Sequence, residues 1–280
     1  MIDYWRLIRP RIVAMVLATM LVAALTAAPE TPDWRTLFHA LLGTAGVIAG
    51  AIAFNARLES HADAKMPRTA DRPIPSGRLT QGQVTTFALS ATIFGLTYLV
   101  VFTNPQLVAI AVLSWLLYVA AYTPLKSRTI WQTPVGAVAG AMPVLLGAAA
   151  AGSPFSPLAW CLFAIVTFWQ FPHSMAVAWL FRREFAAAEI RVATVVDATG
   201  RAAGRLALAG AIALVPFSVL PAVLSLAGWS YGLVAAVLSL VYLEFSRRFA
   251  IAPQDRAARR LLRMSLIYLP TLLATMWIFA

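Results

Sequence analysis

Residues 55–78 read NARLESHADAKMPRTADRPIPSGR. This polar island stands between two apolar runs, TAGVIAGAIAF at 44–54 and TTFALSATIFGLTYLVVF at 85–102. Such a contrast is expected of a loop that joins two membrane spans, because charged groups are costly inside hydrocarbon and collect at its edges. Asn55, Glu59 and Asp63 are spaced four apart, and residues four apart stack on one face of a helix. Two carboxylates and an amide therefore point the same way where the chain leaves an apolar segment. Lys65, Arg68, Arg72 and Arg78 follow at once. Pro73, Pro75 and Gly77 mark the turn back towards the next span.

The rest of the chain repeats the contrast. It has 280 residues, of which 61% are hydrophobic and 12% charged, against about 25% charged in an average soluble domain. Nine apolar segments of about 17–23 residues, each long enough to cross a bilayer, centre on Leu17, Ala45, Ile93, Leu113, Met142, Ala164, Leu214, Val237 and Leu272. The expected fold is all-α: a polytopic membrane protein, a bundle of nine transmembrane helices in a single domain over residues 1–280. MIDYWRLIRPR at the start lacks the tripartite pattern of a cleavable signal peptide. The only cysteine, Cys161, sits in an apolar run and forms no internal disulfide.

Charge supplies the orientation. With the N-terminus in the cytoplasm, all but one (Arg35) of the 22 Lys and Arg residues fall in inward gaps, as the positive-inside rule requires. The net charge of +11 thus reflects topology and needs no nucleic-acid partner. The outward gaps at Asn104, Ser153 and Gly228 are short and uncharged, whereas those after the second and sixth spans are long and charged. Function is expected on the cytoplasmic side of a bacterial-type inner membrane.

Three inward clusters carry chemistry. Mg²⁺ takes oxygen ligands, commonly one or two carboxylates plus substrate phosphates. Asn55, Glu59 and Asp63 fit that role, and Arg68 and Arg72 can grip a phosphate. The bland alternative is that the acids pair with Arg57, Lys65 or Arg68 on a solvated helix end. The second cluster, YTPLKSRT, holds Tyr122, Lys126 and Arg128, and Pro124 argues against a regular helix there. Its cations suit an anionic leaving group, and equally suit a plain cytoplasmic loop. The third, TFWQFPHSMAVAWLFRREFAAAEIRVATVVDATG, places His173 after Trp169 and Pro172, and Pro172 should bend its segment. A neutral imidazole can ligate iron, bond a haem propionate, or bond a neighbouring helix. Asp197 is expected to open the seventh helix as its cap, or to lie near the phosphates. Arg259, Arg260 and Arg263 suit anionic lipid headgroups.

The run N-x-x-x-E-x-x-x-D-A-x-M-x-R-T-x-x-R-P-x-P-x-G-R resembles the first motif of the UbiA-type intramembrane prenyltransferases. Y-x-x-x-K, W-Q-x-P-H-x-x-A-x-A and V-V-D-x-T-G follow in the family's order. The third motif resembles the protohaem IX farnesyltransferase (haem O synthase) branch. The Asp-rich second motif of quinone-making relatives is missing.

The resemblance implies a Mg²⁺-dependent transfer of farnesyl from farnesyl diphosphate to a vinyl group of haem B. Asn55, Glu59 and Asp63 would hold the metal. Tyr122, Arg68, Arg72, Lys126 and Arg128 would hold diphosphate, and His173 and Trp169 the haem. Glu184 stands where the branch has an acid. Two features depart from the pattern. Ser60 and His61 replace the usual Arg and acid, so no acid is present there for a second metal. Ala188–Val192 replaces A-G-x-P-M. The resemblance also implies a haem A synthase or an oxidase-assembly protein as partner. A UbiA-type enzyme with an aromatic acceptor and a non-catalytic haem carrier are the competing readings.

Overall fold

A computed structural model describes residues 1–27 and 32–279. Among the described residues there is no strand, and nine helices are long and apolar enough to cross a membrane. They are α1 (Pro10–Ala27), α2 (Trp34–Leu58), α3 (Gln81–Phe102), α4 (Pro105–Leu125), α5 (Gln132–Ala150), α6 (Pro157–Leu180), α7 (Arg201–Val223), α8 (Trp229–Ile251) and α9 (Asp255–Phe279). Each contains one of the nine expected centres.

Local chemistry sets the helix starts. Asn104 caps α4 by accepting from Leu107 N–H at 2.8 Å, and Ser156 caps α6 by accepting from Ala159 N–H at 3.2 Å. A proline follows each cap, where its missing N–H costs nothing. Thr80 and Gln83 form a capping box at α3.

The core draws on all nine helices, from Met20 of α1 to Leu272 of α9. α2 packs on α3 and α1 on α5; α6 touches α5, α7 and α9. α5 is the most deeply buried span, and its small residues allow the close approach. A Cβ at Gly147 would lie 2.1 Å from the Met20 carbonyl oxygen. Large apolar side chains in mid-span, among them Ile93, Phe94, Leu113, Ile212, Val237 and Ile267, point outward and are exposed. With no water to bury them from, these are lipid-facing surfaces, and the chain is a multi-pass membrane protein.

One local expectation is met and one changes. Pro124 leaves α4 continuous but not regular. The helix widens into a π turn over Leu116–Tyr122 and resumes at Thr123–Leu125 with Pro124 in its first turn. The wider turn removes the clash that a proline ring makes with the carbonyl four residues back. Asp197 does not open α7, which begins at Arg201 after Gly200, a glycine at φ 78°. Asp197 still caps it from further back, accepting Ala202 N–H at 2.8 Å and Thr199 N–H at 3.0 Å.

The charged gaps meet at one end. Lys65 Nζ reaches Glu189 at 2.6 Å, Arg191 N–H donates to the Lys126 carbonyl at 2.7 Å, Arg78 pairs with Asp3 at 2.8 Å, and Arg182 pairs with Asp255 at 3.0 Å. These ties join the N-terminus and all four inward gaps.

Candidate active site

A cavity of about 330 Å³ opens among those loops, within the size range of ligand pockets, about 300–1,000 Å³. Its lining carries Arg9, Arg68, Arg72 and Lys126 against Glu59 and Asp63. Four cations against two carboxylates leave an excess of positive charge, suited to an anionic ligand.

The acids come from the end of α2. That helix stops at Leu58, Glu59 forms a joint at φ −92° and ψ 0°, and a short helix runs over Ser60–Ala64. Glu59 N–H donates to the Asn55 carbonyl at 2.9 Å, and Asp63 N–H to that of Glu59 at 2.8 Å. The four-residue spacing therefore survives the joint. Asn55 and Asp63 are each 1% exposed, while His61 is exposed and outside the cavity.

Each of the three is held differently. Asn55 Nδ2 donates to Thr123 Oγ1 at 3.1 Å, and that hydroxyl donates to the Tyr118 carbonyl at 2.8 Å. The π turn supplies Tyr118, and Thr123 follows it directly. Asn55 Oδ1 is left buried with no hydrogen-bond partner among the described residues. Glu59 is ion-paired with Lys126, and Asp63 with Arg72. Lys126 Nζ lies 4.4 Å from the centroid of the Tyr122 ring. Burial opposes its charge, but Tyr122, Glu59 and Tyr118 outweigh it and raise its pKa.

Around the mouth, Arg68 stacks over Phe181 at 5.0 Å and lies 3.8 Å from Glu184, whose Oε2 is buried without a hydrogen-bond partner. Arg128 is exposed and Asp197 half-buried, and both lie outside the cavity lining. His173 lines the cavity from α6. Its Nδ1 lies 2.8 Å from Ser265 Oγ on α9, so a bond to a neighbouring helix is present. Trp169 sits behind the imidazole, stacked at 4.8 Å, with its indole N–H donated to the Ser265 carbonyl at 2.9 Å. It does not line the cavity.

Sequence reasoning passed over Arg9. It stands just before α1 at φ 49°, lines the cavity, and leaves Nη2 buried without a partner. Burial, then Arg72, lowers its pKa. Its signal was Arg9-Pro10-Arg11 at the start of a span, where the positive-inside rule absorbs any basic residue. Gln170 was also missed. A Cβ at Gly140 would lie 2.2 Å from Gln170 Oε1, so the glycine lets the amide lie flat across α5. There its Nε2 donates to the Ala137 carbonyl at 2.9 Å.

A helical bundle with a cationic, carboxylate-bearing cavity at one end defines a membrane protein built to hold an anionic ligand. Over residues 16–267 the chain matches the UbiA prenyltransferase family, and it belongs to that family. Its curated relatives include the protoheme IX farnesyltransferases of Rhodopirellula baltica and Solibacter usitatus. The first is 38% identical, over 96% of this chain and 97% of the relative; the second is 36% identical, over 98% and 97%. A solved digeranylgeranylglyceryl phosphate synthase superposes with a TM-score of 0.82 at 16% identity, covering 99% of this chain and 96% of that one. A UbiA homolog from Archaeoglobus fulgidus, solved with GPP and Mg²⁺ bound, gives 0.69 at 13% identity, covering 98% and 99%.

Proposed function

We propose that this chain transfers farnesyl from farnesyl diphosphate to a vinyl group of haem B, with water adding to give haem O. The observation that carries the reading is one cavity lined by both the Glu59–Lys126 and Asp63–Arg72 pairs and by His173. The names of the relatives above support the acceptor.

The residues fit Mg²⁺. Asn55 Oδ1 is a buried acceptor without a partner, and Glu59 and Asp63 stand on the same face. These three would hold the ion beside the substrate phosphates, and the ion would neutralise charge on the leaving group. The cations now paired with the acids, Lys126 and Arg72, are then free to turn to the diphosphate, joined by Arg68 and Arg9. A vinyl group is a weak nucleophile, so the rate depends on how well the departing diphosphate is stabilised. Apolar lining from Met66, Met175, Phe185 and Val192 excludes water from the allylic cation.

The charge asymmetry supports a mouth at the cytoplasmic face of a bacterial-type inner membrane. The product is membrane-bound, so a haem A synthase or an oxidase-assembly protein in the same bilayer is the expected recipient. Purified protein given farnesyl diphosphate, haem B and Mg²⁺ should form haem O, read by mass-resolved chromatography. No farnesylated haem in that assay sinks the reading, and prenylation of an aromatic acid instead selects the aromatic acceptor.

A further inference from the structure

Capture of a prenyl cation by a carbon–carbon double bond leaves a cation on the acceptor, and its quenching releases a proton. Some group in the cavity must take that proton. Glu59 and Asp63 are ion-paired, and in the proposed reaction they would be engaged by Mg²⁺. Gln170 spends its Nε2 on the Ala137 and Val166 carbonyls. Among the described lining residues, His173 is the one side chain with a neutral basic nitrogen.

Hydrogen bonding sets which nitrogen that is. Ser265 Oγ lies 2.7 Å from the Leu262 carbonyl, which only accepts, so the single hydroxyl proton points there. Toward His173, Ser265 then offers a lone pair at 2.8 Å. The two contacts are both hydrogen bonds only if His173 Nδ1 carries the ring proton. Ser265 is fully buried behind the imidazole, away from the cavity. Trp169 adds a second restraint, stacked on the ring while its N–H holds the Ser265 backbone. His173 Nε2 is therefore the ring nitrogen left with a lone pair, and it makes no hydrogen bond to any described residue.

We infer that His173 Nε2 is the proton acceptor of the reaction and that Ser265 is a positioning residue that fixes its tautomer. The inference rests on the proposed haem acceptor. The C1–O bond of farnesyl diphosphate breaks, and its electron pair leaves with the diphosphate. The vinyl π pair forms the new bond to C1. Water oxygen bonds the electron-deficient carbon beside the pyrrole, and its proton passes to Nε2. No oxidant or reductant is needed.

The test compares wild type, His173→Gln and Ser265→Ala in lipid nanodiscs with farnesyl diphosphate, haem B and Mg²⁺. Hydrated product, its anhydro counterpart 18 mass units lighter, and the Soret shift on haem binding are followed together. His173→Gln should lower kcat for hydrated product by about 100-fold, the usual worth of a positioned base. The anhydro product should gain share, while haem binding and KM for farnesyl diphosphate hold. Ser265→Ala should lower kcat about tenfold with both KM values unchanged, and should alter the pH profile of kcat because Nδ1 is no longer pinned. Loss of the haem Soret shift in His173→Gln, or hydrated product at the wild-type rate, overturns the inference. If Ser265→Ala matches wild type in kcat and pH profile, its positioning role fails. A wild-type protein that makes neither product overturns the proposed function, and this inference with it.

Discussion

Asn55 shows how much one side chain can depend on a distant turn. Its Nδ2 is anchored by Thr123, which leaves Oδ1 buried and bare. An unpaired buried acceptor is costly unless a ligand satisfies it. Asn55→Ala should lower Mg²⁺-dependent turnover by about 100-fold. Thr123→Val keeps the oxygen but loses its anchor, and should cost about tenfold, as outer partners of metal ligands do. Equal losses in the two variants, measured as kcat against Mg²⁺ concentration, would contradict this division. Asp63→Ala removes a buried carboxylate and strands Arg72. It should abolish Mg²⁺-dependent turnover while the haem absorbance change on binding persists. Full activity there would remove Asp63 from the site.

At the scale of elements, the loop from α6 to α7 carries two local devices. Glu189 sits at φ 58°, a left-handed conformation that favours glycine, and it takes the place where the resemblance expects Gly. Its ion pair with Lys65 ties this loop to the one after α2. Exposed pairs of this kind contribute little, so the backbone term should win. Glu189→Gly should raise the thermal midpoint slightly, and Lys65→Ala should barely move it. A lower midpoint in Glu189→Gly would mean that the tie outweighs the strain.

The cap of α7 makes the second case. The Thr199 side-chain bond, then the Ala202 N–H, lower the Asp197 pKa below its ordinary 3.8. A lowered folded pKa gives stability that is present above the unfolded value and is lost as pH falls through the folded one. Asp197→Asn should lower the midpoint at neutral pH by roughly 2–4 °C, the scale of one lost cap. The gap to wild type should close below pH 3.8. A gap that stays constant with pH would show that the carboxylate charge is not what caps the helix.

The same elements show what a sequence can carry. Spans, caps such as Asn104-Pro105, and the Asn55–Glu59–Asp63 face are local, and a local pattern is readable. Their ion partners are not, because Lys126 meets Glu59 from 67 residues away. Trp169 read as a haem contact by its place beside His173, but only the position of α9 shows that it braces the imidazole instead. Pro124 read as the mark of an irregular helix, but the form of the irregularity, a π turn, has no marker of its own in sequence.

Across the whole molecule, a single asymmetry orders everything else. One end gathers the N-terminus, the charged gaps and the cavity, while the other offers short uncharged turns such as that between α7 and α8. The proposed cytoplasmic position of the cavity end rests on the basic residues, since all but Arg35 lie there. Cysteine accessibility tests this directly, because the native Cys161 is buried and should stay silent to polar reagents. Ser225, between α7 and α8, and Ser76, in the gap after α2, are both exposed. In intact cells, a membrane-impermeant maleimide should label Ser225→Cys, and should reach Ser76→Cys only after the membrane is opened. The reverse pattern would put the cavity on the outer face and remove the cytoplasmic supply of farnesyl diphosphate that the proposed reaction requires. Labelling of both in intact cells would mean that the chain adopts two orientations, which so one-sided a charge distribution opposes.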